Sequence, residues 1–248
     1  MMHRRKFLGF LLTCPLCAQA ARAGDEPHWD YEGPGGPANW GNLEPGFKAC
    51  AIGGEQSPVD LQGAVAARLD RLRIDWKPQA FAVANNGHTI QAAVEPGSTL
   101  RIGDQSYELQ QFHFHTPSEH ALNGRKTAME AHFVHAQPSG RLAVVGVFLT
   151  GGGANAAFSK VMSVAPATVG EAKLAAPIDV RALLPKGGPR YRYEGSLTTP
   201  PCSEVVDWNI YGASVAVAQR DIDAFKKLFP DNTRPLQQLN RRFILRAG

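Results

Sequence analysis

The chain has 248 residues, of which 44% are hydrophobic and 19% charged, enough for one large domain with a substantial buried core. Its formal net charge of +4 comes from 26 basic and 22 acidic residues, but four of the basic residues and none of the acidic ones lie in residues 1–23. Residues 24–248 are therefore formally neutral and hold no Lys/Arg cluster, which excludes a nucleic-acid-binding protein.

Residues 1–23 have the features of an export signal. A basic stretch precedes an apolar run over residues 7–12, and the small-residue pattern Ala21-Arg22-Ala23 follows. The apolar run is shorter than the roughly 20 residues of a membrane span. We therefore predict cleavage, with residues 24–248 released as one domain into the periplasm or outside the cell and no membrane span remaining. Arg4-Arg5 also fits a twin-arginine signal, and the sequence leaves both export routes open.

Short apolar or alternating runs between Gly, Pro and Asn clusters predict β-strands along most of the mature chain. They cover residues 81–84, 89–94, 106–115, 128–136, 142–149, 191–193 and 205–217. Helical periodicity is convincing only over residues 154–164 and 219–229. The turn-rich residues 116–126 are predicted to connect two strands. No repeat or change of composition marks a boundary, so we predict a single mainly β (α+β) domain with a largely antiparallel sheet.

Two of the four cysteines, Cys14 and Cys17, lie in the predicted signal and would be lost with it. Cys50 and Cys202 remain as a lone pair in a protein predicted to reach an oxidising compartment, which favours one disulfide. Two buried free thiols are the alternative.

Two histidine-bearing strands give the strongest chemical signal. Side chains alternate faces along a strand, so His113 and His115 point the same way, and a neighbouring antiparallel strand would bring His132 beside them. Three nitrogen ligands with one open position are typical of catalytic zinc. Gln111 and Glu130 stand two residues before His113 and His132, where their oxygens can accept the second ring N–H. The pattern predicts one Zn²⁺ per chain, whereas a His-x-His pair alone would more often be a half-exposed polar pair.

Further motifs follow in a fixed order along nearly all of the mature sequence. They are Gln56-Ser57-Pro58-Val59-Asp60, Asn85-Asn86-Gly87-His88, Ser118-Glu119-His120, Gly195-Ser196-Leu197-Thr198-Thr199-Pro200-Pro201 after Tyr193, Trp208, and Asn232-Thr233-Arg234-Pro235. Together with the histidine strands they resemble the alpha-class carbonic anhydrases. The resemblance implies a twisted, mostly antiparallel sheet of about ten strands with a few short peripheral helices. It also implies a zinc lyase that reversibly hydrates carbon dioxide to bicarbonate and a proton, with esterase side activity and inhibition by sulfonamides and anions.

Carried over residue by residue, the resemblance implies a role for each part of the site. The zinc ligands would be His113, His115 and His132, supported by Gln111, Glu130 and the backbone carbonyl of Asn232. Thr198 would accept a hydrogen bond from zinc hydroxide while donating to the carboxylate of Glu119, so that the hydroxide attacks carbon dioxide in a fixed orientation. The substrate pocket would be formed by Val134, Val144, Leu197, Thr199 and Trp208.

The resemblance further implies a path for the released proton. His88 would be the proton shuttle, because an imidazole with an ordinary pKa near 6.5 can take up and release protons at neutral pH. Tyr31, Asn86, Gln91 and Thr199 would line the path. Cys50 and Cys202 match the disulfide of exported family members and would brace the loop that carries Thr198.

Two other kinds of protein share part of this histidine pattern. His113, His115 and Glu119 fit the first half of a cupin motif for iron or manganese, but its preceding glycine and second half are missing. A metal-free binding module on the same fold would usually lack a ligand histidine. The remaining mature histidines, His28, His120 and His135, are expected to have structural or surface roles, with His135 facing away from the metal. Without the resemblance, the apolar pocket residues would be ordinary core and the polar ones ordinary turn residues. Sequence leaves a homodimer open.

Overall fold

The computed structural model describes residues 28–248, so the predicted signal lies outside the described residues. Twelve strands are present in this range. They are β1 (Val65–Ala66), β2 (Leu72–Asp75), β3 (Ala82–Asn85), β4 (Ile90–Ala93), β5 (Thr99–Ile102), β6 (Gln105–His115), β7 (Met129–Ala136), β8 (Leu142–Gly151), β9 (Gly170–Lys173), β10 (Arg190–Gly195), β11 (Val206–Val217) and β12 (Leu245–Ala247). The helices are α1 (Trp40–Leu43), α2 (Ala49–Ile52), α3 (Ala156–Val164) and α4 (Gln219–Leu228), with 3₁₀ turns at Gly33–Gly35, Pro45–Phe47 and Val180–Leu183.

All twelve strands belong to one sheet. Its main path runs β1-β12-β10-β11-β8-β7-β6-β4-β3-β9, and β2 joins through β5, which pairs with β6. The pairs β1–β12 and β8–β11 are parallel, and the other pairs in the described range are antiparallel. The predicted large, mostly antiparallel sheet is confirmed, with twelve strands rather than about ten.

The alternation along β6 divides the molecule into two faces. Phe112 and Phe114 are fully buried in the larger hydrophobic core, which also takes in apolar residues of β3, β4, β7 and β8 and of helices α3 and α4. His113 and His115 project to the opposite face, where a smaller apolar cluster includes Val144 and residues of β10 and β11. The face of the sheet that carries the histidines is therefore rigid, because aromatic rings pack closely against its other face.

Both predicted helices are present, with ends within two residues of the prediction. Asn155 caps α3, because its side-chain oxygen accepts the N–H of Phe158 at 3.2 Å. Helix α4 buries Ile222 and Phe225 against the larger core. None of the helices in the described range is long and apolar enough to cross a membrane.

Five strands were not predicted from the sequence: β1, β2, β5, β9 and β12. They are two to four residues long, and side chains of β1 and β9 are largely exposed. Backbone hydrogen bonds to neighbouring strands hold these short strands in place, and two to four residues are too few for an alternation of apolar and polar side chains to predict a strand. The prediction was therefore incomplete at the edges of the sheet and right at its centre.

The predicted disulfide is confirmed. Cys50 in α2 is bonded to Cys202, 152 residues further along the chain in the loop between β10 and β11. The buried Arg234 donates to the carbonyl of Cys50 at 3.0 Å and to the side-chain oxygen of Gln56 at 2.8 Å, and Gln56 donates to the carbonyl of Cys202 at 3.1 Å. The disulfide is thus part of a polar cluster that joins three distant segments.

Candidate metal centre

Three histidine side chains meet on one face of the sheet. His113 of β6 is paired directly with His132 of β7, and His115 lies two residues further along β6. On its other side His113 is paired with Gln91 of β4. The three ring centroids are 4.7 to 5.3 Å apart, and one ring nitrogen of each lies within 4.8 Å of those of the other two. The alternation and antiparallel pairing predicted from the sequence account for this arrangement.

The second nitrogen of each ring is held by an oxygen acceptor. The three pairs are His113 Nδ1 with Gln111 Oε1 at 2.8 Å, His115 Nδ1 with the backbone oxygen of Asn232 at 2.7 Å, and His132 Nε2 with Glu130 Oε1 at 2.9 Å. An acceptor at one nitrogen requires that nitrogen to carry the proton, so the other presents a lone pair. The lone pairs therefore lie on Nε2 of both β6 histidines and on Nδ1 of the β7 histidine.

Burial favours the neutral form of these rings. It lowers the pKa of His113 well below its ordinary value, and the neighbouring His115 and His132 lower it further. Burial likewise lowers the pKa of His115, against the opposing effect of Glu119. Within residues 28–248, the buried Nε2 of His115 has no hydrogen-bond partner. Neutral imidazoles with converging lone pairs fit a cation that prefers nitrogen ligands, such as Zn²⁺.

Glu130 connects His132 to a further buried histidine. Its Oε1 accepts from His132 at 2.9 Å and from His120 Nδ1 at 2.8 Å, and its Oε2 accepts the backbone N–H of His120 at 2.8 Å. Burial raises the pKa of Glu130, but the two imidazoles outweigh it and hold that pKa well below its ordinary value. His120 Nε2 lies 2.7 Å from the hydroxyl of Tyr193, which lies 2.9 Å from Ser57 Oγ. These residues form a hydrogen-bonded network, and His120 is structural rather than at the surface.

Glu119 lies beside the three histidines. Its Oε1 accepts the backbone N–H of Arg234 at 2.9 Å, and its Oε2 lies 3.6 Å from His115 Nε2 and 4.0 Å from His132 Nδ1. This second oxygen is buried and has no hydrogen-bond partner among the described residues. The predicted bond from Thr198, which is also buried, is therefore not formed here, and the joint role of the two side chains stays a prediction.

An apolar row lies next to the histidines. Val134 of β7 is paired with Val144 of β8, which is paired with Trp208 of β11. The Trp208 ring lies 4.9 Å from the ring of His132, and the half-buried Leu197 packs against the same cluster. The sheet register thus brings together Val134, Val144 and Trp208, three of the four apolar residues predicted for the substrate pocket, and Leu197 packs against the same cluster from the loop between β10 and β11.

The loop between β10 and β11 carries the two predicted threonines and is closed by short-range bonds. The carbonyl of Thr199 accepts the N–H of Cys202 at 2.9 Å, and the N–H of Leu197 donates to the carbonyl of Ser203 at 3.0 Å. The disulfide to Cys50 attaches this loop to α2.

His88 is covered by the N-terminal part of the described chain. Its ring stacks on Trp29 with centroids 3.7 Å apart and planes 8° apart, and the rings of His28 and Tyr31 lie 5.7 and 6.4 Å away. The Nδ1 atom is buried with no partner in the part of the chain that the structure describes. Burial, followed by the charge of His28, lowers the pKa of His88 to about 4. Asn86 accepts the N–H of His88 at 3.0 Å, so Tyr31 and Asn86 both lie beside the predicted shuttle.

Comparison with known proteins identifies the family. A family model described as eukaryotic-type carbonic anhydrase matches residues 35–247. The chain belongs to the alpha-class carbonic anhydrases. It is 40% identical over 237 residues to a carbonic anhydrase of Neisseria gonorrhoeae, covering 95% of this chain and 94% of that protein. It is 39% identical over 240 residues to one of Pectobacterium carotovorum, covering 96% and 98%.

Solved structures of similar proteins agree with this family assignment. The alpha-carbonic anhydrase of Thermovibrio ammonificans, described in complex with the inhibitor sulfanilamide, superposes with a TM-score of 0.86 at 41% identity, over 89% of this chain and 100% of that chain. The predicted family, enzyme class and fold are confirmed, and the cupin alternative is wrong. Membership of the family supports carbon dioxide hydration as the reaction.

Two residues of this carbonic anhydrase site were missed from the sequence. Trp29, which stacks on His88, was not singled out, and His120 was assigned a structural or surface role without its hydrogen bond to Glu130 being foreseen. The aromatic run around Trp29 was a usable signal, because exposed termini rarely carry several aromatic residues without a packing partner.

Proposed function

We propose that this carbonic anhydrase holds one Zn²⁺ on His113, His115 and His132 and uses it to convert carbon dioxide and water reversibly to bicarbonate and a proton. The observation that carries the proposal is that all three imidazoles have one nitrogen bonded to an acceptor, while one ring nitrogen of each lies within 4.8 Å of those of the other two. When bound, zinc lowers the pKa of a coordinated water to about 7. Three neutral ligands leave the charge of the ion uncancelled, which a carboxylate or thiolate ligand would not.

The apolar row is proposed to receive carbon dioxide. The substrate has no net charge, so Val134, Val144 and Trp208 can hold it beside the histidines through apolar contact, with Leu197 closing the pocket. Thr199, in the same loop as Leu197, is proposed to line the polar side.

Glu119 and Thr198 are proposed to orient the attacking group. A carboxylate can only accept hydrogen bonds, and one oxygen of Glu119 already accepts from the backbone of Arg234. The other oxygen is buried, unpartnered among the described residues and 3.6 Å from His115. A Thr198 hydroxyl that donates to this oxygen would turn its own lone pair toward the reacting atoms, which fixes the direction of attack.

His88 is proposed to carry the proton to solvent, along a path lined by Tyr31, Asn86, Gln91 and Thr199. In its stacked position its pKa of about 4 is too low to take up a proton at neutral pH. We therefore propose that His88 moves off the Trp29 ring and becomes hydrated when it acts as a shuttle.

The proposal also includes export of the protein, inhibition by small molecules and a second activity. The disulfide fits an oxidising compartment, which supports cleavage of residues 1–23 and release of residues 24–248 into the periplasm or medium. The similarity of this chain to the Thermovibrio ammonificans enzyme, described with sulfanilamide, supports inhibition by sulfonamides. Simple anions are expected to compete at the metal. Slow hydrolysis of activated esters is a further expected activity.

Stopped-flow measurement of carbon dioxide hydration tests the proposal. The wild-type protein should accelerate hydration, and His115→Ala should lose nearly all of this activity together with its zinc. His135→Gln, which removes an equally buried histidine from the opposite face, is the matched control and should remain active at pH 7.5. Full activity of folded His115→Ala would rule out the proposed ligand set.

The shuttle has a separate test. His88→Ala should lower turnover by about a hundredfold in weak buffer, within the usual range for lost general acid–base catalysis, and added imidazole should restore most of it. An unchanged dependence on buffer concentration would remove His88 from the proton path.

A further inference from the structure

Gly146 occupies the position next to His132 in the sheet. The register of β7 and β8 pairs it with His132, and the parallel register of β8 and β11 pairs it with Ile210. Residues paired across a sheet project to the same face. A side chain at Gly146 would therefore point into the face that carries the histidines.

The space over Gly146 is occupied by Glu130. A β-carbon built at Gly146 would lie 3.0 Å from Glu130 Oε1 and 3.1 Å from Ile210 Cγ1. Both distances are shorter than ordinary carbon contacts. The added atom would be confined between the carboxylate on one side and the branched side chain on the other, on a backbone held by hydrogen bonds to both neighbouring strands.

The carboxylate of Glu130 has little freedom to move away. Its Oε1 is the atom that accepts from both His132 and His120, and its Oε2 is held by the backbone of His120. The side chain is fully buried. A shift of a few tenths of an ångström would lengthen the bond to His132 or the bond to His120.

We infer that Gly146 is a positioning residue for the metal centre: its missing side chain leaves the space in which Glu130 Oε1 sets the tautomer and orientation of His132. The inference rests on the proposed zinc site and extends it to a residue that touches neither metal nor substrate. Loss of an acceptor behind a ligating histidine typically weakens metal binding by about 10- to 100-fold. Gly146→Ala should therefore weaken zinc binding.

Competition with a chromogenic chelator measures the zinc dissociation constant without recourse to activity. Gly146→Ala should raise that constant by about 10- to 100-fold. Gly212→Ala is the matched control, because a β-carbon there would lie 2.8 Å from the ring of Tyr191 and 3.0 Å from Pro189. It crowds the same sheet without contact to Glu130 and should keep the wild-type constant.

A double-mutant cycle separates positioning from general damage to the fold. In a Glu130→Ala background, Gly146→Ala should have no further effect on zinc affinity, because the carboxylate that it displaces is gone. If Gly146→Ala fails to fold, Gly146→Ala/Ile210→Ala relieves the apolar contact and leaves the contact with Glu130, and it should still bind zinc weakly.

Wild-type affinity in a folded variant that carries Gly146→Ala and retains Glu130 would overturn the inference, as would an undiminished effect of Gly146→Ala in the Glu130→Ala background. Failure of the wild-type protein to bind zinc would instead overturn the proposed function. The two failures are therefore distinguished by the wild-type measurement.

Discussion

The three proposed zinc ligands differ in the acceptor behind each ring. Gln111 offers an amide oxygen, Asn232 a backbone carbonyl and Glu130 a carboxylate. Hydrogen bonds to a charged acceptor are roughly twice as strong as neutral ones. Of the three rings, His132 is therefore held most firmly, and it is also the ring whose acceptor depends on further neighbours.

Sequence spacing predicted two of these acceptors and not the third. Gln111 and Glu130 lie two residues before a ligand on the same strand, so the alternation of the strand places them on its face. Asn232 lies in the segment after α4 and reaches His115 only through tertiary packing. Resemblance to a family supplied it, and local pattern could not.

At the residue scale, the stack on Trp29 gives a prediction about His88. Burial is the main cause of its low pKa of about 4, and the Trp29 ring stacks directly on the imidazole. In Trp29→Ala the imidazole of His88 becomes hydrated, so its pKa should rise toward the ordinary value of about 6.5. Titration of the imidazole resonances by NMR measures it. The buried His135 should not change and serves as internal reference, and an unchanged pKa of His88 would contradict the account.

At the scale of elements, strands β6 and β7 are the part of the fold that the sequence predicts best. Along each strand the side chains alternate between a face that carries histidines and their hydrogen-bond acceptors and a face that packs into the larger hydrophobic core. A slip of one residue would exchange the two faces, so the register is strongly specified. Strands β1 and β9 carry no such contrast between faces, which is why their positions follow only from the finished sheet.

The same alternation makes His135 of β7 a source of acid sensitivity. It lies on the face opposite the three proposed ligands, accepts from Trp76 Nε1 at 3.0 Å and donates to the carbonyl of Ala143 at 3.1 Å. Burial lowers its pKa to about 3. The unfolded chain takes up this proton below about pH 6.5 and the folded chain only near pH 3. Stability therefore falls as the pH drops through that window, by about 2 kcal/mol at pH 5.

Urea unfolding at pH 7 and pH 5 checks this prediction. The free energy of unfolding of the wild-type protein should decrease by about 2 kcal/mol more than that of His135→Gln over the same interval. Comparing the two decreases removes the baseline cost of the substitution. Equal decreases would mean that His135 does not contribute to acid sensitivity.

At the scale of the whole molecule, the site is assembled from segments that lie far apart in sequence. The central strands carry the three proposed zinc ligands, while Glu119, Asn232 and the loop between β10 and β11 reach the site from connections between elements. Such contacts depend on how the whole sheet twists and closes, so composition and periodicity predict the floor of the site and not its surrounding loops.

At the scale of the whole molecule, removal of the disulfide should lower both stability and activity. The disulfide closes a separation of 152 residues, and loss of such a bond typically costs about 2–5 kcal/mol. Cys50→Ser/Cys202→Ser should lower the free energy of unfolding by that amount, as measured in guanidinium. Because the bond attaches the threonine loop, carbon dioxide hydration should also fall at temperatures where the variant is folded. Unchanged hydration would show that the loop does not need this bond to position its threonines.

Zinc titration of the metal-free enzyme tests the central claim most directly. The protein is stripped with a chelator and zinc is added back while carbon dioxide hydration is followed by stopped flow. Activity should rise linearly and reach a plateau at one zinc per chain, because His113, His115 and His132 form one site. Hydration that needs no zinc, or that zinc fails to restore to the folded protein, would contradict the account.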